Sequence, residues 1–416
     1  MTVTAENTLR HQAYFEQLDA IGDDAHPDFH AVAAGLYTLR LFDSWVTDGC
    51  GSGAPDARQL AGARTAIEAA PPSATMRVLG NVVEAIATAQ GVDGSMVLPA
   101  LLAYARALHF EARWALAEDV YDTVISVSPC VSDDELLLSA MHMRGYTMRM
   151  QGRLDEAAVA YKQLRMAAEF VGDTKFVMEA RLSEALLATQ RGNLPQAERA
   201  LDELRSHPEV VLRPALRSRT LHARSIVAGK RGDLSEAVVL GHEALQLCKD
   251  SANRERILGD IANTLTAMGE WNGARTAFMI IACTAQERYL RWMATINLME
   301  IAFLERRHLV FDQYRRELCS VELPHDLQAL YLYTAAQGFR IFGSAQESEA
   351  ALESALAIAQ RYGINELIFK IEALQALPEV TLPETDTGEA AHHHDVAEVV
   401  DALTRMLEEV NVSTVA

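Results

Sequence analysis

The chain has 416 residues, half of them apolar but only 6% aromatic, and 57 Asp and Glu against 37 Lys and Arg give a formal charge of −20. Such an excess of acid argues against nucleic-acid binding as the main activity, because affinity for phosphate comes from clustered Lys and Arg. No run of about 18 apolar residues occurs, so no membrane-spanning helix is expected.

Residues 1–48 read as helical, with Leu9, Ala13, Leu18 and Ile21 at helical spacing and a second such stretch from Phe29 to Val46. The segment Gly49 to Pro55 breaks the pattern, and Asp56 stands where a helix can begin again. Two further helical stretches follow, broken at Pro71-Pro72 and near Gly91 to Gly94. Residues 1–94 are therefore expected to form a helical bundle or divergent repeats.

From residue 95 a short phrase recurs. Gly152-Arg153-Leu154-Asp155-Glu156-Ala157 is followed 40 residues later by Gly192-Asn193-Leu194-Pro195-Gln196-Ala197. After another 40 comes Gly232-Asp233-Leu234-Ser235-Glu236-Ala237, and after 37 Gly269-Glu270-Trp271-Asn272-Gly273-Ala274. A period of this size, with a glycine turn between amphipathic stretches, marks a stack of helical hairpins. Small residues stand seven positions before each glycine (Gly145, Ala185, Ser225, Ala262) and five after it (Ala157, Ala197, Ala237, Ala274). Nine positions after the glycine stand the bulky Tyr161, Leu201 and Phe278, with Gly241 as a departure.

This pattern resembles the tetratricopeptide repeat. The register extends back to Ala112-Arg113-Trp114, with Ala117, Tyr121 and the helix-ending Pro129, and forward to a degenerate unit at Arg306 to Leu309 and another at Gly343. The resemblance implies an all-α, right-handed α-solenoid of about seven hairpins over 95–377, with turns near 112, 152, 192, 232, 269, 307 and 343. The stretched period is also similar to the sensor solenoids of bacterial regulators, among them the maltose activator family and the peptide-responsive response-regulator phosphatases.

Residues 378–394, with Pro378, Pro383, Gly388 and several acids, read as a flexible linker. Over 395–416, Val396, Val399, Val400, Leu403, Met406, Leu407 and Val410 recur at three- and four-residue steps and predict an amphipathic helix. That helix is expected to cap the solenoid's end, join a homodimer or plug the groove.

Signatures of catalysis are missing: there is no GxxxxGK[ST] loop, GxSxG elbow, HExxH or dinucleotide turn. The glycines at 49–53 read as a plain loop, and His392-His393-His394-Asp395 as a solvated run rather than a metal site. Cys50, Cys130, Cys248, Cys283 and Cys319 lie far apart and read as isolated thiols. With a polar N-terminus that lacks the apolar core of a signal peptide, they suggest a reducing, cytoplasmic location. No cofactor or metal is expected, and no enzymatic activity.

In solenoids of this kind the first helix of each hairpin lines the concave face. Counting back from each turn collects Arg106, His109, His142, Tyr146, Arg149, Arg219, His222, Lys230, Arg256, Asn263, Asn297, Tyr333, Gln337 and Arg340. Only Glu179, Asp260 and Glu300 supply acid at these positions, the reverse of the whole-chain balance. Arg pairs bidentately with carboxylates and Asn can pin an extended backbone, so such a groove suits an acidic peptide, a C-terminal carboxylate or a protein tail. Two functions fit. One is a non-enzymatic peptide- or protein-binding scaffold. The other is a signal- or peptide-responsive regulator acting through a protein partner, with no DNA- or nucleotide-binding domain of its own.

Overall fold

A computed structural model of the chain describes residues 10–46, 56–89, 96–111, 113–127, 133–285, 288–321, 323–362, 364–376 and 393–415. Among these residues there are 21 helices and no β-strand. The loop at 49–53, Cys50, Ala112, Pro129, Cys130 and the segment 378–392 lie outside the described residues. The chain divides into two compact units, 1–196 and 197–416.

The first unit opens with α1 (Gln12–Ile21), α2 (Pro27–Val46), α3 (Ala57–Ala69) and α4 (Ala74–Thr88). Asp56 and Ser73 cap α3 and α4, their side chains accepting from the Arg58 and Met76 amides. There follow α5 (Val97–Phe110) and α6 (Trp114–Val127), α7 (Asp134–Met150) and α8 (Leu154–Val171), then α9 (Thr174–Gln190). The core is continuous from Tyr14 on α1 through Leu79 and Ile86 on α4 to Leu101, Tyr121 and Ala140, so the first four helices pack as one body with the first hairpin.

Helix α10 (Leu194–Ser206) spans the boundary between the units. In the second unit the short α11 (Pro208–Leu212) precedes α12 (Pro214–Arg231) and α13 (Leu234–Leu247). Next come α14 (Ser251–Ala267) and α15 (Trp271–Thr284), α16 (Arg288–Leu304) and α17 (His308–Cys319), then α18 (His325–Ile341) and α19 (Ala345–Tyr362). The unpaired α20 (Asn365–Ala376) and the C-terminal α21 (His393–Val415) end the chain.

All seven expected turns are present, and one hydrogen bond defines them. The amide of the residue after the turn position returns to a carbonyl five residues earlier, the bond that closes a Schellman helix end. Arg113 bonds to Leu108, Arg153 to Met148, Asn193 to Ala188 and Asp233 to Ala228, at 2.9–3.0 Å. Glu270 bonds to Leu265, Arg307 to Ala302 and Ser344 to Phe339, at 2.8–2.9 Å. The motif needs a left-handed residue, which Gly152, Gly192, Gly232, Gly269 and Gly343 supply. The degenerate turn places Arg306 there instead, at φ 57°.

The small residues lie where the two helices of a hairpin cross. A Cβ added at Gly145 would stand 2.7 Å from the Tyr161 ring, so the glycine on α7 and the tyrosine on α8 are complementary. Where one small residue is a serine, it bonds to the opposite backbone: Ser225 Oγ donates to the Ala237 carbonyl at 2.7 Å and Ser348 Oγ to that of Ala336 at 2.9 Å. The departure at Gly241 has a plain cause. Ile261 of the next hairpin fills that space and would lie 2.8 Å from an added Cβ.

Helix α21 begins at His393, two residues before the expected start, and packs on α13 and α15, the second helices of two successive hairpins. Val396, Val399 and Leu403 are buried there, with Val400, Met406 and Leu407 partly so. It therefore covers neither the terminal α20, whose Phe369 stays 71% exposed, nor the first-helix faces within its unit. Gly273 explains the choice: the matching phrase positions hold Glu156, Gln196 and Glu236, whereas a Cβ at 273 would meet Val400 Cγ2 at 2.7 Å. Among the described residues no helix is long and apolar enough to cross a membrane.

Candidate ligand-binding faces

In the first unit α5, α7 and α9 are successive first helices and lie side by side. Asp133 and Asp173 start two of them by accepting from the Leu136 and Phe176 amides at 3.0 Å, which fixes where each inner stripe begins. Five candidate residues share this face. Arg106 donates to Ser139 Oγ across the α5–α7 gap at 2.9 Å. The His109 ring lies against Tyr146, centroids 4.9 Å apart, with its Nδ1 3.2 Å from Thr147 Oγ1. The Arg149 guanidinium stands 4.9 Å from the Tyr146 ring centroid and donates to Gln190 Oε1 on α9 at 3.3 Å. His142 Nε2 contacts Ser183 Oγ at 3.1 Å. The result is a row of rings and donors running His109, Tyr146, Arg149, Gln190 over three helices, with Arg106 exposed beside it.

The second unit carries the remaining candidates on α12, α14, α16 and α18. His222 is tied to Asp260, Nε2 to Oδ2 at 2.7 Å, so one of the basic positions is matched by one of the acidic ones. Arg219 is half-buried and engaged. Lys230, Arg256 and Asn263 are exposed, while Asn297, Tyr333 and Gln337 are half-buried, with Gln337 Nε2 3.4 Å from the Tyr333 hydroxyl. Arg340 donates to the Leu374 carbonyl at 2.6 Å and so neutralises the C-terminal end of α20.

Two residues of α20 belong to the same electrostatic field and escape a count made backwards from turns, because no turn follows α20. Lys370 pairs with Glu366 at 2.7 Å; that bond, with the fields of Lys370 and of Lys230, holds the Glu366 carboxyl below its usual range. Burial pushes Glu300 the other way, upward, and Lys370 opposes the shift. Burial also raises Tyr333. Cations and carboxylates thus both contribute to this face.

Elsewhere, the buried Arg224 binds Glu198 at 2.6 Å, Asp202 at 3.1 Å and Glu236 at 3.3 Å, which marks it as part of the scaffold. Among the described residues no group of three or more His, Cys, Asp or Glu side chains is arranged to hold a metal ion. His394 is exposed and pairs with Glu398 at 3.5 Å. Cys248 is buried, and Cys283 and Cys319 are exposed free thiols.

No family profile and no curated protein sequence matches this chain. Among solved structures, it is similar to a tetratricopeptide repeat protein from Parabacteroides merdae, at 14% identity over 66% of this chain and 98% of that one, with a TM-score of 0.42. It is also similar to a Rap protein complexed with Competence and Sporulation Factor, at 11% identity over 81% and 99% of the two chains, TM-score 0.45. The apo form of RapI matches at 10% identity over 80% and 98%, TM-score 0.46. What carries the resemblance to tetratricopeptide repeats here is the set of seven turns, six of them flanked by small residues.

Proposed function

We propose that this protein is a non-enzymatic scaffold that binds an extended protein or peptide segment along the first-helix faces of its hairpins. The supporting observation is the row His109–Tyr146–Arg149–Gln190 with Arg106 at its edge. Packed helices lie about 8–10 Å apart, and an extended chain advances roughly 3.3 Å per residue. One donor group per helix therefore meets about every third residue of a bound segment. Arg106 and Arg149 suit a carboxylate, from an acidic side chain or a C-terminus, and the Tyr146 ring suits an apolar neighbour.

The test is a charge reversal. Arg106→Glu with Arg149→Glu should weaken binding of acidic, extended peptides at least about tenfold at low salt, each tenfold being 1.4 kcal/mol. The loss should shrink as ionic strength rises, since exposed charges are screened over about 8 Å at physiological salt. Equal binding by the reversed variant would remove this face from the function.

One observation favours a second reading, a regulator acting through a protein partner. Helix α21 is an amphipathic segment seated on α13 and α15 through an interface that Gly273 makes room for. A helix held by so local a contact is suited to exchange when a signal or partner competes for its seat. Deleting residues 379–416 supports this reading if partner binding changes while the hairpins keep their stability. Unchanged binding defeats it. A cytoplasmic location and a homodimer are further points that fractionation and solution mass would decide.

A further inference from the structure

Helices α1, α2 and α3 line an open pocket of about 480 Å³ that the inner-face reading leaves unused. Its volume lies within the range of small-molecule pockets. The walls are apolar: Phe15 and Leu18 from α1, Leu36 and Leu41 from α2. Three polar groups join them, the Arg40 guanidinium, the Tyr37 hydroxyl and the Gln59 side-chain amide.

Each of the three has unused donor capacity. Arg40 stands 5.9 Å from the Phe15 ring centroid and makes no ion pair among the described residues. Asp43, one helical turn along α2 and the acid nearest by spacing, is committed to Arg10 at 2.8 Å and to His11 at 3.1 Å. Gln59 Oε1 accepts from Ser44 Oγ at 2.9 Å, which orients the amide and leaves its NH2 to donate. The Tyr37 hydroxyl is seated against α3 at Gly62, where an added Cβ would stand 2.3 Å from it. A glycine inside a helix is disfavoured relative to alanine, and here it makes room for that hydroxyl.

We propose that this cavity is a binding site for a small carboxylic acid with an apolar body. The guanidinium, hydroxyl and amide donate to the carboxylate, and the hydrocarbon fills the space between Phe15, Leu18, Leu36 and Leu41. Guanidinium–carboxylate pairing is bidentate and charge-assisted, so the acid is distinguished from its neutral analogue.

Calorimetric titration of the full chain with sodium octanoate and with octanamide tests this. Octanoate should bind saturably at one site, about tenfold or more tighter than the amide. Arg40→Met, at an exposed position that leaves the helix packing intact, should bring the two probes to equal affinity. Ala33→Trp, which fills the cavity and keeps Arg40, should abolish binding of both. Absence of saturable octanoate binding, equal affinity for the two probes in the unaltered chain, or octanoate binding unchanged in either variant would each overturn the proposal.

Discussion

The seat of α21 offers a test in which two substitutions must interact. Gly273→Ala adds a Cβ that would stand 2.7 Å from Val400 Cγ2 and 3.1 Å from Leu265 Cδ1. Leu265 can yield by rotating its chain end, but a valine in a helix has essentially one χ1 state, so Val400 and its helix must move instead. Overpacking of this kind costs about 1–3 kcal/mol, offset by the ~1 kcal/mol that alanine gains over glycine inside α15. A net loss of up to about 2 kcal/mol is expected in urea unfolding. Val400→Ala removes the obstructing methyl, and in that background Gly273→Ala should become neutral or stabilising. The coupling between the two, from a double-mutant cycle, should be at least about 1 kcal/mol and favourable. Hydrogen exchange supplies a local readout: Gly273→Ala alone should speed exchange over 396–407 and leave α5 to α9 unaffected. Additive effects, or unchanged protection of α21, would show that Gly273 does not hold the helix in place.

Three further outcomes are expected. His11, buried between Asp119 at 2.5 Å and Asp43 at 3.1 Å, is lowered by burial, yet its bonds to Asp119 and Asp43 and their charges prevail and raise it to about 9. A raised value stabilises the fold fully below the ordinary 6.5 and loses that contribution as pH climbs through 9, by about 3 kcal/mol in all. The melting temperature should therefore fall between pH 6.5 and 10 more steeply than in His11→Asn, and parallel curves would refute the clamp. Ala157→Leu, at a fully buried crossing of α7 and α8, should cost about 1–3 kcal/mol in chemical unfolding; an unchanged midpoint would mean that the helices do not cross there. Arg306→Gly should stabilise by about 0.5–1 kcal/mol, since the left-handed strain relieved exceeds the entropy glycine adds to the unfolded chain. A loss on calorimetry would show the arginine side chain to be needed.

The turns were legible because their chemistry is local. A glycine in the left-handed region, a helix-ending bond and two small residues at fixed distances leave a clear mark; where Arg306 replaces the glycine and Met299 and Phe311 the small residues, the left-handed backbone and the helix-ending bond remain. The substitution at Gly241 was legible as a departure but not as a cause, because Ile261 lies in the next hairpin. The inner faces were less so. A count from the turns finds Arg149 and Tyr146, yet it cannot show that His222 is spent on Asp260 or that Arg340 is held by the end of α20. Lys370 and Glu366 were out of reach, since a register needs a turn to count from. The seat of α21 did leave a trace, the single glycine where other phrases carry Glu or Gln, but its meaning depended on Val400, more than a hundred residues away.

The turn bonds recur 40 residues apart from Arg113 to Asp233 and 37 apart from Asp233 to Ser344. From α7 onward the first helices of the hairpins keep 17 or 18 residues, so the three lost residues come from the second helices and the links that follow them. The turn end of a hairpin thus keeps the phase of the two helices, while the opposite end absorbs changes in length. Insertions and deletions confined to those links, such as 248–250 between α13 and α14, leave every inner face in register. Hairpins of unequal length can in this way be exchanged or duplicated as cassettes, and a ligand surface built on the first helices can be recomposed without redesigning the joints that support it.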